Sequence, residues 1–401
     1  MRYTIPSLLL ILSLIWQGCG EESKTGTSLV GFDPMDHPVS GDNGMPRLFS
    51  DRDTLYLSWV EQLADTAALR VSKWSEGTWS EPVTLASGTD WFVNWADFPQ
   101  VAVNQGNLLA TYLQKSDTAT FAYDIHYVLR SADGSILRRK LHTDTTRTEH
   151  GFVSVVPGDD GSFFLSWLDG RNTGGGSGHQ HHGAMTLRGG VLSPQGTLSD
   201  SELDARVCDC CSTTATAIPG GVLVAYRDRS PEEVRDIGVI RNLEGSWSDS
   251  RIVNEDNWVI PGCPVNGPSV DAWNSRVALA WFTAAGDDPR VMLALSADAG
   301  ASFGPPIRLD SGNATGRVAV TWIGEDELAV IWMEPRGQDE FLICNRVSAK
   351  GEVLQEYVIA EISPERASGF PQLQKAGSYL LAAWTEAGES TSSIKLARLA
   401  L

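Results

Sequence analysis

The sequence predicts an all-β protein: a β-propeller of four-stranded blades, with seven blades favoured and six as the alternative. Three observations predict it. Short apolar runs recur at even spacing, few windows place apolar residues at helical intervals, and Gly-, Asp- and Ser-rich turns separate the runs. Each run ends at an aromatic anchor: Trp59, Tyr112, Trp167, Tyr226, Trp281, Trp332 and Trp384, at intervals of 53, 55, 59, 55, 51 and 52 residues.

A second element precedes four of the anchors. Pro46, Pro99, Pro268 and Pro371 each stand 13 residues before one, the length of a strand, a tight turn and a second strand. Proline is tolerated at the first residue of a strand, where no ladder N–H is required. Two further strands follow, as in the fifth unit with Val291–Leu295 and Pro306–Leu309. Four strands in about fifty residues is the size of a propeller blade. The last unit stops after Lys395–Leu399 and lacks a fourth strand; Ser28–Phe32 is expected to supply it and close the ring. Separate β-sandwiches would need linkers between them, and the spacing leaves no room for any.

The N-terminus reads as a targeting segment. Arg2 precedes a short apolar run, Leu8–Ile15, too short to span a bilayer. Gly18-Cys19 and the polar residues after it resemble a lipoprotein signal, with Cys19 as the lipidated residue. The expected organisation is a signal peptide at 1–18, a lipidated tether at 19–30 and the propeller at 31–401. The product is an exported monomer, in the outer membrane or periplasm, held at the membrane by its lipid anchor alone. A net charge of -19 argues against a nucleic-acid partner, because an acidic surface repels phosphate.

In the fifth unit the turn Ser296-Ala297-Asp298-Ala299-Gly300-Ala301-Ser302-Phe303 has the form Ser-x-Asp-x-Gly-x-x-aromatic. The Asp is suited to accept turn N–H groups and the Gly to take a positive φ. Fainter versions stand at Ser75–Trp79, Ser131–Ser135 and Leu243–Trp247. This pattern resembles the Asp box, or bacterial neuraminidase repeat, of the sialidase superfamily. The resemblance implies a propeller, and for the enzymes of that family three arginines on a substrate carboxylate, a Tyr paired with a Glu, and an Asp acid/base. Here Pro46-Arg47-Leu48 departs from the family's arginine motif, and no Tyr has an evident Glu partner.

The unusual residues map to the loops that enter the first strand or leave the second strand of each blade, which share one face. Asp169, Arg171, Arg227, Asp228, Arg229 and Arg336 suit either a salt-bridged collar or a pocket for a small-molecule, anionic or glycan ligand. His179, His181 and His182 lie in a Gly-rich insertion, and Cys208, Cys210, Cys211 and Cys263 in two neighbouring loops. Thiolates and imidazoles in reach of one another suit Zn or Cu. In an exported protein the same cysteines can form disulfides, with Cys208–Cys211 and Cys210–Cys263 the unstrained pairing. The expected function is ligand binding on this face; the alternative is an exo-sialidase-type glycoside hydrolase.

Overall fold

The computed structural model describes Met1 and residues 31–174 and 183–401. Its strands form seven antiparallel sheets, one for each predicted unit, and helix is limited to three single 3-10 turns among the described residues. Each sheet meanders outward in chain order. Blade 3, for example, runs His150–Pro157, Phe163–Asp169, Thr186–Leu192 and Leu198–Asp204. Consecutive antiparallel strands need only short hairpins, and type I′-like turns with two positive φ values supply them, as at Glu76-Gly77 (53° and 82°) and Glu244-Gly245 (51° and 84°).

The ring closes with a strand from the N-terminal end, slightly later than the sequence suggests. Asp33–Pro34 pairs with Arg398 and Ala397 on the edge of blade 7, and the Met35 N–H donates to Leu396 O at 2.9 Å. Phe32 makes no strand pairing; it packs edge-on to Tyr357 of blade 6, with ring centroids 5.7 Å apart. Residues 28–30, and with them the signal peptide and Cys19, lie outside the described residues.

The aromatic anchors form the core between blades. Trp167, Tyr226 and Trp332 are fully buried, and Trp59, Trp281 and Trp384 nearly so. The carboxylate two residues beyond an anchor points to the same side of its strand. Trp167 Nε1 donates to Asp169 Oδ2 at 3.1 Å, and Trp332 Nε1 to Glu334 Oε2 at 2.9 Å. Blade 5 has Thr283 at that position, so Trp281 Nε1 reaches Asp256 Oδ2 at 2.7 Å instead. These acids satisfy buried indole donors, which favours the collar over a pocket for them.

The turn at Ser296–Phe303 makes the hydrogen bonds expected of its residues. Asp298 accepts from Ser296 Oγ, the Ser302 N–H and Ser302 Oγ at 2.8, 2.8 and 2.6 Å, and Gly300 takes φ +76°. The inner strands of six blades, with Phe98 and Gln100 from the segment that enters the inner strand of blade 2, line a central cavity of about 390 Å³.

Candidate functional site

One mouth of the ring, over blades 2 to 5, gathers most of the acids, imidazoles and thiols that stand apart from the core. Its centre is a hydrogen-bonded set that sequence patterns did not reveal. Tyr123, the first residue of strand Tyr123–Arg130, donates its hydroxyl to Glu149 Oε1 at 2.6 Å, with Asp97 Oδ2 at 3.2 Å from the same oxygen. Asp97 Oδ1 accepts the Phe152 N–H at 2.7 Å. The Tyr123 ring is fully buried and stacks on Phe92, with centroids 4.1 Å apart, while Glu149 keeps partial access to solvent. Backbone shape makes room for the set. A Cβ on Gly151 would fall 1.9 Å from Asp97 Oδ2, and Phe152 takes φ 54°.

Burial pushes the Asp97 carboxyl up to about 7, against the Phe152 N–H and the Tyr123 hydroxyl, which both favour its anion. Burial pushes Glu149 up to about 8; its bond from Tyr123 opposes this, and the nearby Asp97 charge adds to it. Two carboxyls flanking one phenol, each able to hold a proton near neutrality, form a proton-handling group.

Beside this set the cysteines converge as the loop placement predicted. Cys208 Sγ lies 3.3 Å from Cys211 Sγ and 3.8 Å from Cys210 Sγ, and the Cys210 thiol is within hydrogen-bond reach of Cys263. Arg235 Nη1 donates to Cys208 Sγ at 3.2 Å. Burial works against the Cys208 thiolate, but the thiols of Cys210 and Cys211 and the Arg235 charge outweigh it and hold this group well below its ordinary value. The geometry accommodates a thiolate metal centre, and it also brings together the two pairs expected for disulfides. Cys344 is buried in blade 6 and stands apart from the group. His179, His181 and His182 lie outside the described residues.

The predicted ligand-binding residues divide. Arg227 is buried: its guanidinium donates to Asn266 O, Arg235 O and Phe282 O at 2.6 to 3.0 Å and stacks over Trp258, with 5.0 Å to the ring centroid. It ties blades 4 and 5 together and has no free edge for a ligand. Asp169 is also buried, held by Trp167 and by a two-pronged pair with Arg171 at 2.7 and 2.8 Å. Arg229 bridges Glu233 and Asp209 at 2.6 and 2.8 Å, and burial raises the Asp228 carboxyl to about 6. Arg336 sits away from the group, on blade 6, paired with Glu334 and with Glu356 of that blade's outer strand.

Among the described arginines with no carboxylate partner within 4.0 Å are Arg47 and Arg317. Arg47 lines the central cavity and donates one bond, to Gln372 Oε1 at 2.7 Å, while its buried Nε has none. Arg317 is buried, donates to Gly369 O and Glu365 O at 3.0 and 3.2 Å, and covers the Trp95 ring at 4.8 Å. Trp95 in turn stacks on Phe370 at 5.9 Å, and Phe98 packs on the same ring. Trp95 and Phe98 flank Asp97, so a single loop joins this cationic, aromatic rim to the buried acids.

No family model and no curated protein matches the chain. Solved structures share its fold. A polysaccharide lyase, the PL25 ulvan lyase bound to -[GlcA(1-4)Rha3S]-, superposes with a TM-score of 0.56 at 10% identity, covering 92% of this chain and 96% of that one. The polysaccharide lyase Uly1 gives 0.50 at 9% identity, covering 91% of each chain. The α-L-arabinofuranosidase Arb93A from Fusarium graminearum, in complex with an iminosugar inhibitor, gives 0.50 at 11% identity, covering 92% and 96%. At such identities the likeness establishes the seven-bladed propeller.

Proposed function

We propose that this chain is an exported, lipid-anchored propeller that binds an acidic glycan across the mouth over blades 2 to 5 and acts on it through Asp97, Tyr123 and Glu149. One observation carries this reading: the Tyr123 hydroxyl is bonded between two carboxyls, and Glu149 is only partly buried. Acid and base chemistry on a sugar needs a group that gives a proton and a group that takes one, both held in place. Arg47, whose Nε has no partner, supplies positive charge, and Trp95, Phe98 and Phe370 supply the apolar faces on which sugar rings pack. The fold neighbours, a lyase bound to a glucuronate-containing repeat and an arabinofuranosidase, agree with a glycan ligand.

An exo-sialidase is the second reading. The Tyr123–Glu149 pair with Asp97 alongside matches the Tyr, Glu and Asp that the sequence resemblance implies. Against it, Arg227 is bound to three carbonyls, and Arg171, Arg229 and Arg336 each hold a carboxylate. The test is a panel of uronate-containing polysaccharides, arabinans and sialosides, scored for binding and for release of reducing or unsaturated ends, with wild-type protein and Tyr123→Phe. Binding with turnover that Tyr123→Phe abolishes is expected on uronate polymers. Turnover on sialosides alone selects the second reading. A protein that neither binds nor cleaves any member refutes both.

A further inference from the structure

Beside the acids, the connection from blade 3 to blade 4 carries Cys208-Asp209-Cys210-Cys211, residues with no part in the proposed glycan chemistry. The loop is pinned at both ends. The Val207 and Cys208 N–H groups donate to Met185 O and Arg227 O at 2.9 and 3.0 Å, and Thr213 Oγ1 donates to Phe152 O at 2.9 Å. Behind it the packing is tight: a Cβ on Gly267 would fall 2.2 Å from Ser212 O. A turn held in this way fixes its side chains before any ligand arrives. Cys208 and Cys211 are buried, and Cys210 is half-buried.

The three sulfurs lie within 4.8 Å of one another. Cys208 Sγ is 3.3 Å from Cys211 Sγ and 3.8 Å from Cys210 Sγ, so it has two sulfur neighbours where a disulfide takes one. Buried arginines close in from the protein side. Arg235 Nη1 donates to Cys208 Sγ at 3.2 Å. Arg227 stands within electrostatic reach of Cys211 and has no carboxylate within 4.0 Å among the described residues. Buried positive charge calls for negative charge close by. Thiolates supply it; neutral thiols and disulfides do not. Three thiolates packed this closely repel one another unless a cation lies between them.

We propose that Cys208, Cys210 and Cys211 hold one thiophilic metal ion, zinc or copper(I), as a cluster of thiolates. The spacing fits. Metal–sulfur bonds of roughly 2.3 Å, tetrahedral or trigonal, set sulfurs about 3.8 to 4.0 Å apart. The Cys208–Cys210 separation of 3.8 Å meets this, and the Cys208–Cys211 separation of 3.3 Å needs only a small opening. An all-sulfur set selects zinc or copper(I) over calcium and magnesium, which take oxygen. Three thiolates leave one net negative charge around zinc and two around copper(I), and Arg235 and Arg227 offset them. The Arg235 bond to Cys208 is the outer contact that orients a metal-bound ligand. The open side lies toward the half-buried Cys210, where the exposed Cys263 approaches. The site stands on its own ligands, whether or not the mouth acts on glycans.

The test is metal analysis of the full protein, purified under inert atmosphere without chelator or polyhistidine tag and reconstituted with zinc or copper(I) in separate samples. About one equivalent of one of the two is expected. It should be lost in Cys211→Ser and kept in Cys344→Ser, whose sulfur stands apart in blade 6. The cobalt(II) form of the wild-type protein should show a sulfur-to-metal charge-transfer band. Should Cys211→Ser fail to fold, that band decides. Wild-type protein that takes up neither metal overturns the proposal. So does a cobalt form without the band, metal that stays at full occupancy in Cys211→Ser, or peptide mapping of the freshly isolated protein that finds Cys208 bridged to Cys211.

Discussion

Asp97→Asn offers a sharp test of the buried acid set, because the substitution removes a titration while keeping the side chain's shape. Asn Oδ1 can still accept the Phe152 N–H, the bond that Asp97 makes at 2.7 Å. In the folded protein burial holds the Asp97 carboxyl at about 7, against its ordinary 3.8. A carboxyl raised in the folded state is harder to ionise there than in the unfolded chain. The folded state therefore binds more protons between those values, and stability falls as pH rises from about 4 to about 7. Roughly three units at 1.36 kcal/mol each gives about 4 kcal/mol, present at pH 4 and lost by pH 8. With an unfolding entropy of about 2.1 cal/mol/K per residue over 401 residues, this corresponds to about 5 °C in Tm. His142 acts in the opposite direction. Burial, above all, pushes it down to about 3, so stability rises with pH between about 3 and its unfolded value of 6.5. The variant must therefore be compared with wild type at each pH. Thermal unfolding at pH 4, 6 and 8 should show Asp97→Asn gaining about 5 °C on wild type from the lowest pH to the highest. Two curves that run parallel within a degree would refute the burial of this acid.

Four further outcomes follow from the same geometry. Arg227→Met should cost roughly 3 kcal/mol in chemical denaturation, because three main-chain carbonyls lose their buried donor. Phe32→Ala should cost about 3 kcal/mol by removing a buried ring at the closure, and limited proteolysis should then release the N-terminal segment first. Asp298 is held at about 2, chiefly by the Ser302 hydroxyl and N–H, so its contribution is present above pH 3.8 and lost as pH falls through 2; Asp298→Ala should flatten the acid limb of the stability curve over that interval. Under non-reducing conditions Cys263, the exposed thiol, should be the first to react with a small alkylating reagent and the buried Cys344 the last, as read by peptide mass mapping; complete resistance of Cys263 would show it bridged to Cys210.

Much of the fold was legible because a propeller repeats itself. Each blade must bury the same strand against the same neighbour, so the anchors Trp59 to Trp384 recur at blade length and the turn at Ser296–Phe303 announces its own hydrogen bonds. The loops carrying Cys208, Cys210, Cys211 and Cys263 could be placed on one mouth for the same reason: strand parity fixes which end of a blade a loop leaves. Roles within the mouth were a different matter. Arg227 and Arg229 look alike in sequence, yet one is locked to carbonyls inside the ring and the other bridges acids at its rim. Asp97, Tyr123 and Glu149 show no spacing at all, because they come from two connections and the start of a strand. Local sequence determined the strands and the turns and favoured seven blades over six, since these depend on neighbours along the chain and on a repeating period. Only the closed ring decided which acids lose their water, since desolvation depends on what the other blades bring within a few ångströms.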